Sequence, residues 1–503
     1  MDETGKAKRL SLRSPRTFAM KINDDLLVEI FDFCRRDNIS PNTYPQNWWY
    51  TLAHVCQKWR RVLFATPTRL GITLVCNSRT PVADLLASFP PSLPLVVYWG
   101  NPGTFDTEES VEKGALVALG HPERVRRITL RTSENALGKA FSSMRACFPM
   151  LETLQLCCSS ESVRDPKTTL SDKFEAPNLR HLQLSDLILL RPSLVKTVLT
   201  RPSVVSFSIG EITMKSDELM TYLALMPHLK VLKVGIAFSI PSEQTARKER
   251  DLCGRGGQPG TAQLALTELE EFEYQGTSHY LEAVAARISA PTLKKLSVTV
   301  TNKVDESAEL DRNSFKFFAR LVGGAANLVF PHCRVRNKDG FSIVMDHEEL
   351  WTGRGAFELK FNDRGYYFDA KIGLVTNICR VLAPTPSTVQ SLLVEDAHRN
   401  RWDREPNHGE WRELLRVFDN VKTLRVAGRY VEELRKVLEP KPKDPGSNAV
   451  LLSLLPRLQE IVRYGGGEGE KEKEPFAGFV KARKGAGSPV RVVKGPKNRL
   501  TLV

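Results

Sequence analysis

No apolar run in this sequence approaches the ~18 residues that a membrane-spanning helix needs. The opening residues, MDETGKAKRLSLRSPR, hold no apolar stretch, so no secretory signal is read there. Cysteine is scarce: nine in 503 residues, an odd number, scattered and without a CxxC pair. That excludes a disulfide framework, and it predicts reduced, mostly buried thiols in a cytoplasmic or nuclear protein. GxxxxGK[ST], GxSxG and HExxH are all missing, which removes the familiar phosphate loop, nucleophile elbow and zinc-protease helix. The Gly-rich stretch 254–260 lacks a strand before it and a helix after it, so it reads as a plain loop. Asp346-His347-Glu348-Glu349 sets one histidine among three carboxylates, with no second cluster spaced to complete a metal site. Cys157-Cys158 reads as the end of a core strand. No catalytic residue, metal ligand or cofactor is assigned, and no enzyme is expected.

What the sequence does have is enough apolar material for a sizeable core: 41%, against 26% charged. Basic residues exceed acidic ones by 72 to 58, a net +14. Residues 1–20 and 465–503 together hold +8 of that excess, so the body is only mildly basic. The ends, 1–19 and 465–503, read as basic flexible tails, with GGGEGEKEKEP as an exit linker. The C-terminal stretch KARKGAGSPVRVVKGPKNR has no aromatic ring on which a base could stack.

From residue 121 to 464 a pattern of apolar-x-x-apolar-x-apolar recurs. It reads VRRITL (125–130), LETLQL (151–156), LRHLQL (179–184), VVSFSI (204–209) and LKVLKV (229–234). It continues as LEEFEY (269–274), LKKLSV (293–298), VQSLLV (389–394) and VKTLRV (421–426). Nine prolines lie between 149 and 291, and five of them stand two residues ahead of a full pattern: Pro149, Pro177, Pro202, Pro227 and Pro291. Helix-like stretches such as SDELMTYLALM and SHYLEAVAARI precede several of these strands, with Ser216 and Ser278 as candidate caps. Start-to-start spacings of 26, 28, 25 and 25 from Val125 to Leu229 match a leucine-rich-repeat solenoid, in which neighbouring units stack strands in parallel along a concave wall. An inserted loop is expected near 239–262 and an irregular part at 300–388. The exposed strand positions differ from unit to unit: Thr153 and Gln155, His181 and Gln183, Lys233, Glu271 and Glu273, Lys295, Arg425. Varied chemistry suits recognition of a protein substrate, and mixed charge counts against a nucleic-acid groove.

Ahead of the repeats, INDDLLVEIFDFC (22–34) reads as an amphipathic helix with Asn23 as its cap and Leu27, Ile30, Phe31 and Cys34 on one face. A second stretch, LAHVCQKWRRVL (52–63), repeats that spacing, and residues 77–120 read as a connecting segment. Within a helical module at 20–76, residues 22–63 resemble the F-box, through the Leu27-x-x-Ile30-Phe31 helix and the Val55-Cys56-x-x-Trp59-Arg60 element. The usual proline of that motif is Asn23 here, and residues 35–50 make a longer connection. The resemblance implies a helical module that docks a Skp-family adaptor through Ile22, Leu26, Leu27, Ile30, Phe31, Leu52, Val55, Cys56, Trp59 and Arg60. Through that adaptor it would join a cullin-RING ubiquitin ligase, while the repeats hold the substrate. The expected architecture is α/β: an F-box, then an irregular leucine-rich-repeat-like solenoid with a parallel sheet. The alternative is a repeat scaffold without a ubiquitin role, its first helices capping the solenoid. Exposure of Leu27, Phe31 and Trp59 would separate the two.

Overall fold

Four of the five prolines that lead the repeats, and Pro456 after them, sit in tight turns just before the strands; Pro202 lies outside the described residues. In the computed structural model of the chain, the N–H of Leu151 donates to Phe148 O, Leu179 to Ala176, Leu229 to Met226, Leu293 to Ala290 and Leu458 to Leu455, at 3.0–3.3 Å. Pro149, Pro177, Pro227, Pro291 and Pro456 each hold the second position of a four-residue turn, where the locked φ of proline is already correct. The leucine that closes each turn is buried and starts the core face of the next strand.

The structure describes residues 21–38, 48–65, 67, 69–76, 81–100, 108–158, 173–185, 203–210, 214–236, 263–301, 316–323, 330–337, 341–346, 356–361, 368–382, 385–396, 408–428, 430–439, 452–464 and 474–495. The expected N-terminal tail, the loop near 239–262, the Gly-rich stretch 254–260 and His347-Glu348-Glu349 lie outside them. The chain divides near His181 into two compact units.

The first unit opens with helices α1 (Asp24–Asn38), α2 (Tyr50–Ala53) and α3 (Gln57–Ala65). Asp24 and Asp25 lie in the first turn of α1, where the helix dipole favours carboxylates. There follow β1 (Leu74–Cys76), α4 (Val82–Ser88), β2 (Leu95–Trp99), α5 (Glu108–Leu119), β3 (Val125–Thr132), α6 (Glu134–Ser143) and β4 (Thr153–Cys158). The four strands pair in parallel in chain order. Residues 77–120 are therefore not a mere connection: they add a strand and two helices to the repeat array. β1 and β2 are buried almost throughout, so their residues form a continuous apolar run with no period of two to betray them.

The second unit continues with β5 (His181–Ser185, whose first residue belongs to the first unit), β6 (Ser206–Gly210), α7 (Ser216–Leu223), β7 (Val231–Gly235), β8 (Leu264–Ala265) and β9 (Glu271–Gly276). Next come α8 (Ser278–Ala285), β10 (Ile288–Ser289), β11 (Lys295–Val300), α9 (Lys316–Gly323), β12 (His332–Asn337), β13 (Phe341–Asp346) and β14 (Phe357–Phe361). The chain then forms α10 (Phe368–Val381), β15 (Ser391–Asp396), α11 (His408–Val417), β16 (Thr423–Ala427), α12 (Tyr430–Leu438), β17 (Glu460–Tyr464), α13 (Ala477–Gly485) and β18 (Arg491–Lys494). The strand order from β6 is β6-β7-β9-β11-β14-β13-β12-β15-β16-β17-β18. Among the described residues its pairings are parallel except at β13, which runs antiparallel to both β12 and β14. Within the irregular part 300–388, β12, β13 and β14 thus form a three-stranded meander between two parallel stretches, with α9 before it and α10 after it in the chain. Helix, turn and parallel strand in succession make this a leucine-rich-repeat-like α/β solenoid, irregular at the meander.

In β4 to β7, β9 and β11 the burial alternates as the sequence predicts, with Thr153 the exception. Leu154, Leu156, Leu182, Leu184, Phe207, Ile209, Leu232, Val234, Phe272, Tyr274, Leu296 and Val298 are all buried. Polar side chains tie several of the turns to the one before. Asn178 Nδ2 donates to Pro149 O (2.7 Å), Thr292 Oγ1 to Thr267 O (2.8 Å), and Arg124 Nε to Leu93 O (3.3 Å). Two sequence expectations are corrected here. The N-cap positions of α7 and α8 lie one residue earlier than expected, at Lys215 and Thr277: Lys215 N–H donates to Glu218 Oε2 (3.3 Å), and Thr277 Oγ1 accepts from Tyr280 N–H. The stretch 465–503 is not a tail throughout, because α13 and β18 add a further unit. Its basic composition hides the core contacts of Phe476, Phe479 and the buried guanidinium of Arg483.

Candidate functional site

Strands β6, β7, β9 and β11 turn alternate side chains to the face opposite their buried apolar residues. On β6, β7, β9 and β11 these outward residues are Ser206 and Ser208, Val231 and Lys233, Glu271 and Glu273, Lys295 and Ser297, all half-exposed. Register places them in rows: Ser206, Val231, Glu271 and Lys295 in one, Ser208, Lys233, Glu273, Ser297 and Glu358 in the next. Val231, Lys233, Glu271, Glu273, Lys295 and Ser297 line one shallow depression. Four residues named from sequence, Lys233, Glu271, Glu273 and Lys295, are therefore brought together.

Their charges are already spent on each other. Lys233 Nζ lies 2.8 Å from Glu273 Oε2, and Lys295 Nζ lies 3.5 Å from Glu271 Oε2. Ser297 Oγ donates to Glu358 Oε2 at 3.3 Å. The depression is therefore close to neutral, with small hydroxyl groups beside paired charges.

The other named positions lie elsewhere. Arg425 sits on β16 and donates to Tyr464 Oη at 3.1 Å. Gln183 is half-exposed on β5 of the second unit. In the first unit Gln155 is half-exposed and accepts from Thr129 Oγ1 at 3.1 Å, His181 is exposed, and Thr153, expected on the open face, is buried. A charged group that the sequence reading passed over lies on β12 and β15. Buried Arg334 donates to buried Glu395 from Nε (2.8 Å) and Nη2 (2.5 Å), and Arg336 adds a contact at 3.1 Å. Burial, reinforced by Arg425 and opposed by Asp346, lowers the His332 pKa below its usual value. The alternating HCRVRN segment was the available signal.

The N-terminal helices form a second surface. Leu27 and Phe31 are fully buried, and Phe31 packs edge-on to half-buried Trp59 with ring centroids 5.2 Å apart. Ile22 is half-buried, and its carbonyl accepts from Lys58 Nζ at 2.6 Å. Arg60 is exposed and bridges to Ala53 O at 2.9 Å. Leu52 and Cys56 are half-buried, whereas Val55 is exposed. Trp49 is buried, donates to Thr73 O at 2.9 Å and meets Phe64 and Phe89 edge-on. The exposed apolar residues of α1 are Leu26 (58%), Ile30 (39%) and Phe33 (66%), one stripe at i, i+4 and i+7. Ile30 was expected on the same face as Leu27 and Phe31; it belongs instead to this outer stripe. Phe33 was missed.

Among the described residues no helix is long and apolar enough to cross a membrane. No protein-family model matches the chain, and no curated protein matches it. Among solved structures, one similar chain is the leucine-rich repeat-containing protein LegL7 from Legionella pneumophila: TM-score 0.27, 12% identity, covering 82% of this chain and 97% of that one. Another is the TLR13–ssRNA13 complex, at TM-score 0.25 and 9% identity, covering 75% of this chain and 46% of that one.

Proposed function

We propose that the chain is a repeat scaffold that binds a protein partner on the outward faces of its sheets. One observation carries this reading. Strands β6, β7, β9 and β11 bury one face completely and present on the other a row-by-row variation of small, polar and paired charged residues, the kind of surface that reads an irregular protein. The near-neutral depression at Lys233 and Glu273 disfavours a polyanion. Photo-crosslinkers placed at Ser208 and Ser297 should capture one and the same protein, while a probe at Lys139 on α6 should not. Absence of a common adduct would count against the scaffold reading.

A second, finer reading has its own support. The Leu26, Ile30 and Phe33 stripe gives α1 an unpartnered apolar face, as an F-box docked on a Skp-family adaptor would need. In that case the repeats would hold a substrate near a cullin-RING ligase, raising its effective concentration while catalysing nothing. The burial of Leu27 and Phe31 supports the capping alternative, which is why this reading stands second. A pull-down of the full chain with a Skp-family adaptor tests it, and no retention of the adaptor removes it.

A further inference from the structure

A strand with no neighbour on one side presents alternate N–H and C=O groups to whatever adds next. Among the described residues, β18 pairs on one side only, with β17. The N–H of Arg491 donates to Gln459 O (3.0 Å) and that of Gly495 to Arg463 O (2.8 Å). Backbone groups alternate along a strand, so Val492 and Lys494 aim theirs away from β17.

The elements that lead into that edge, α13 and β18, carry charges of one sign. Residues 476–503 hold seven basic and no acidic residues. Lys481, Lys484, Arg491 and Lys494 are exposed, and Val493 is an exposed apolar contact between the last two. Arg491 is matched by Glu460 at 2.8 Å, which leaves the lysines as the net charge. Phe476 and Phe479, the aromatics of the described unit, are buried and offer no ring for base stacking. A single edge lysine is enough to discourage strand-to-strand aggregation; here the positive charge extends over helix and strand together.

We propose that β18 is a docking edge for an extended acidic segment of a protein partner. The segment adds as one more strand, hydrogen-bonding to the main chain of Val492 and Lys494 while its carboxylates meet the lysines.

The test uses the full chain and a fluorescent decapeptide of alternating glutamate and valine, read by anisotropy. Two further probes separate the contributions: the same peptide N-methylated at alternate residues, and a single-stranded DNA of equal charge. The acidic peptide is expected to bind, and N-methylation to weaken it at least tenfold (about 1.4 kcal/mol). Lys494→Gln should weaken binding about threefold, the scale of one exposed charge. Lys494→Pro should weaken it tenfold or more, because it also removes an outward N–H, with an unchanged thermal midpoint. No peptide binding, equal binding of the N-methylated peptide, or tighter binding of the DNA would each overturn the proposal.

Discussion

Lys233 on β7 and Glu273 on β9 face each other across adjacent strands, with Nζ 2.8 Å from Oε2. Lys295 and Glu271 repeat the arrangement one strand on, at 3.5 Å. A surface built this way offers a partner little net field, so shape and hydroxyl contacts must carry most of the recognition. Both members of the first pair are half-exposed, and such solvent-screened pairs contribute roughly 0–1 kcal/mol.

The expected outcome for Lys233→Glu is therefore a small loss of stability, below about 1 kcal/mol, from placing like charges opposite each other. Glu273→Lys should behave the same way. The exchanged double variant, Lys233→Glu with Glu273→Lys, should recover most of that loss. A double-mutant cycle in urea measures the coupling, and a swap no better than the sum of the singles would refute the pairing.

Arg483 supports a different prediction. The residue is 2% exposed, and its guanidinium reaches the carbonyls of Leu452, Leu455, Pro456 and Leu458 at 3.0–3.5 Å. Burial lowers its pKa without making it neutral at ordinary pH. Arg483→Met keeps the apolar stem and leaves those carbonyls short of a donor, at about 1–3 kcal/mol in all. Hydrogen exchange should accelerate across 452–464 and 474–495 and stay unchanged in β7 and β9.

His332 sets an expectation for pH. Its pKa is lowered in the folded chain, chiefly by burial and then by Arg425. The unfolded chain therefore takes up a proton more readily, so the histidine's contribution is present above the ordinary histidine pKa of about 6.5 and is lost as pH falls below it. Urea midpoints should drop from pH 7 to pH 5, and His332→Gln should flatten that slope. An identical slope in the variant would show that other groups cause it.

How much of this was legible in the sequence depends on what each residue's surroundings leave visible. Leu154 and Leu156 alternate with half-exposed or smaller residues, so β4 could be read directly. β2 has both faces covered, and LVVYW shows no period. The direction of β13 was hidden because alternation is the same in parallel and antiparallel strands. The exposure of His181 and the burial of Thr153 depend on neighbours in space, which strand pattern alone does not supply. The charge pairs Lys233–Glu273 and Lys295–Glu271 could be named as residues but not as pairs, since pairing needs the register. In α1, apolar residues occur on two stripes, and periodicity cannot say which one turns inward.

Those two stripes of α1 yield the last prediction. Phe31 is fully buried against Trp59, while Phe33 is 66% exposed. Truncating a buried phenylalanine removes its contacts and leaves a cavity, so Phe31→Ala should cost about 3–5 kcal/mol and unfold the module locally. Phe33→Asp touches no core and should shift stability by no more than about 0.5 kcal/mol. If the outer stripe docks a Skp-family adaptor, Phe33→Asp combined with Leu26→Asp should abolish adaptor binding while the thermal midpoint stays put. If the helices only cap the solenoid, the wild type will not hold the adaptor and the surface double variant will behave as the parent does. Calorimetric titration with the adaptor, alongside the thermal melt of each variant, decides between them. Wild-type binding that survives Leu26→Asp with Phe33→Asp would remove the outer stripe as the docking face, even though an adaptor was bound.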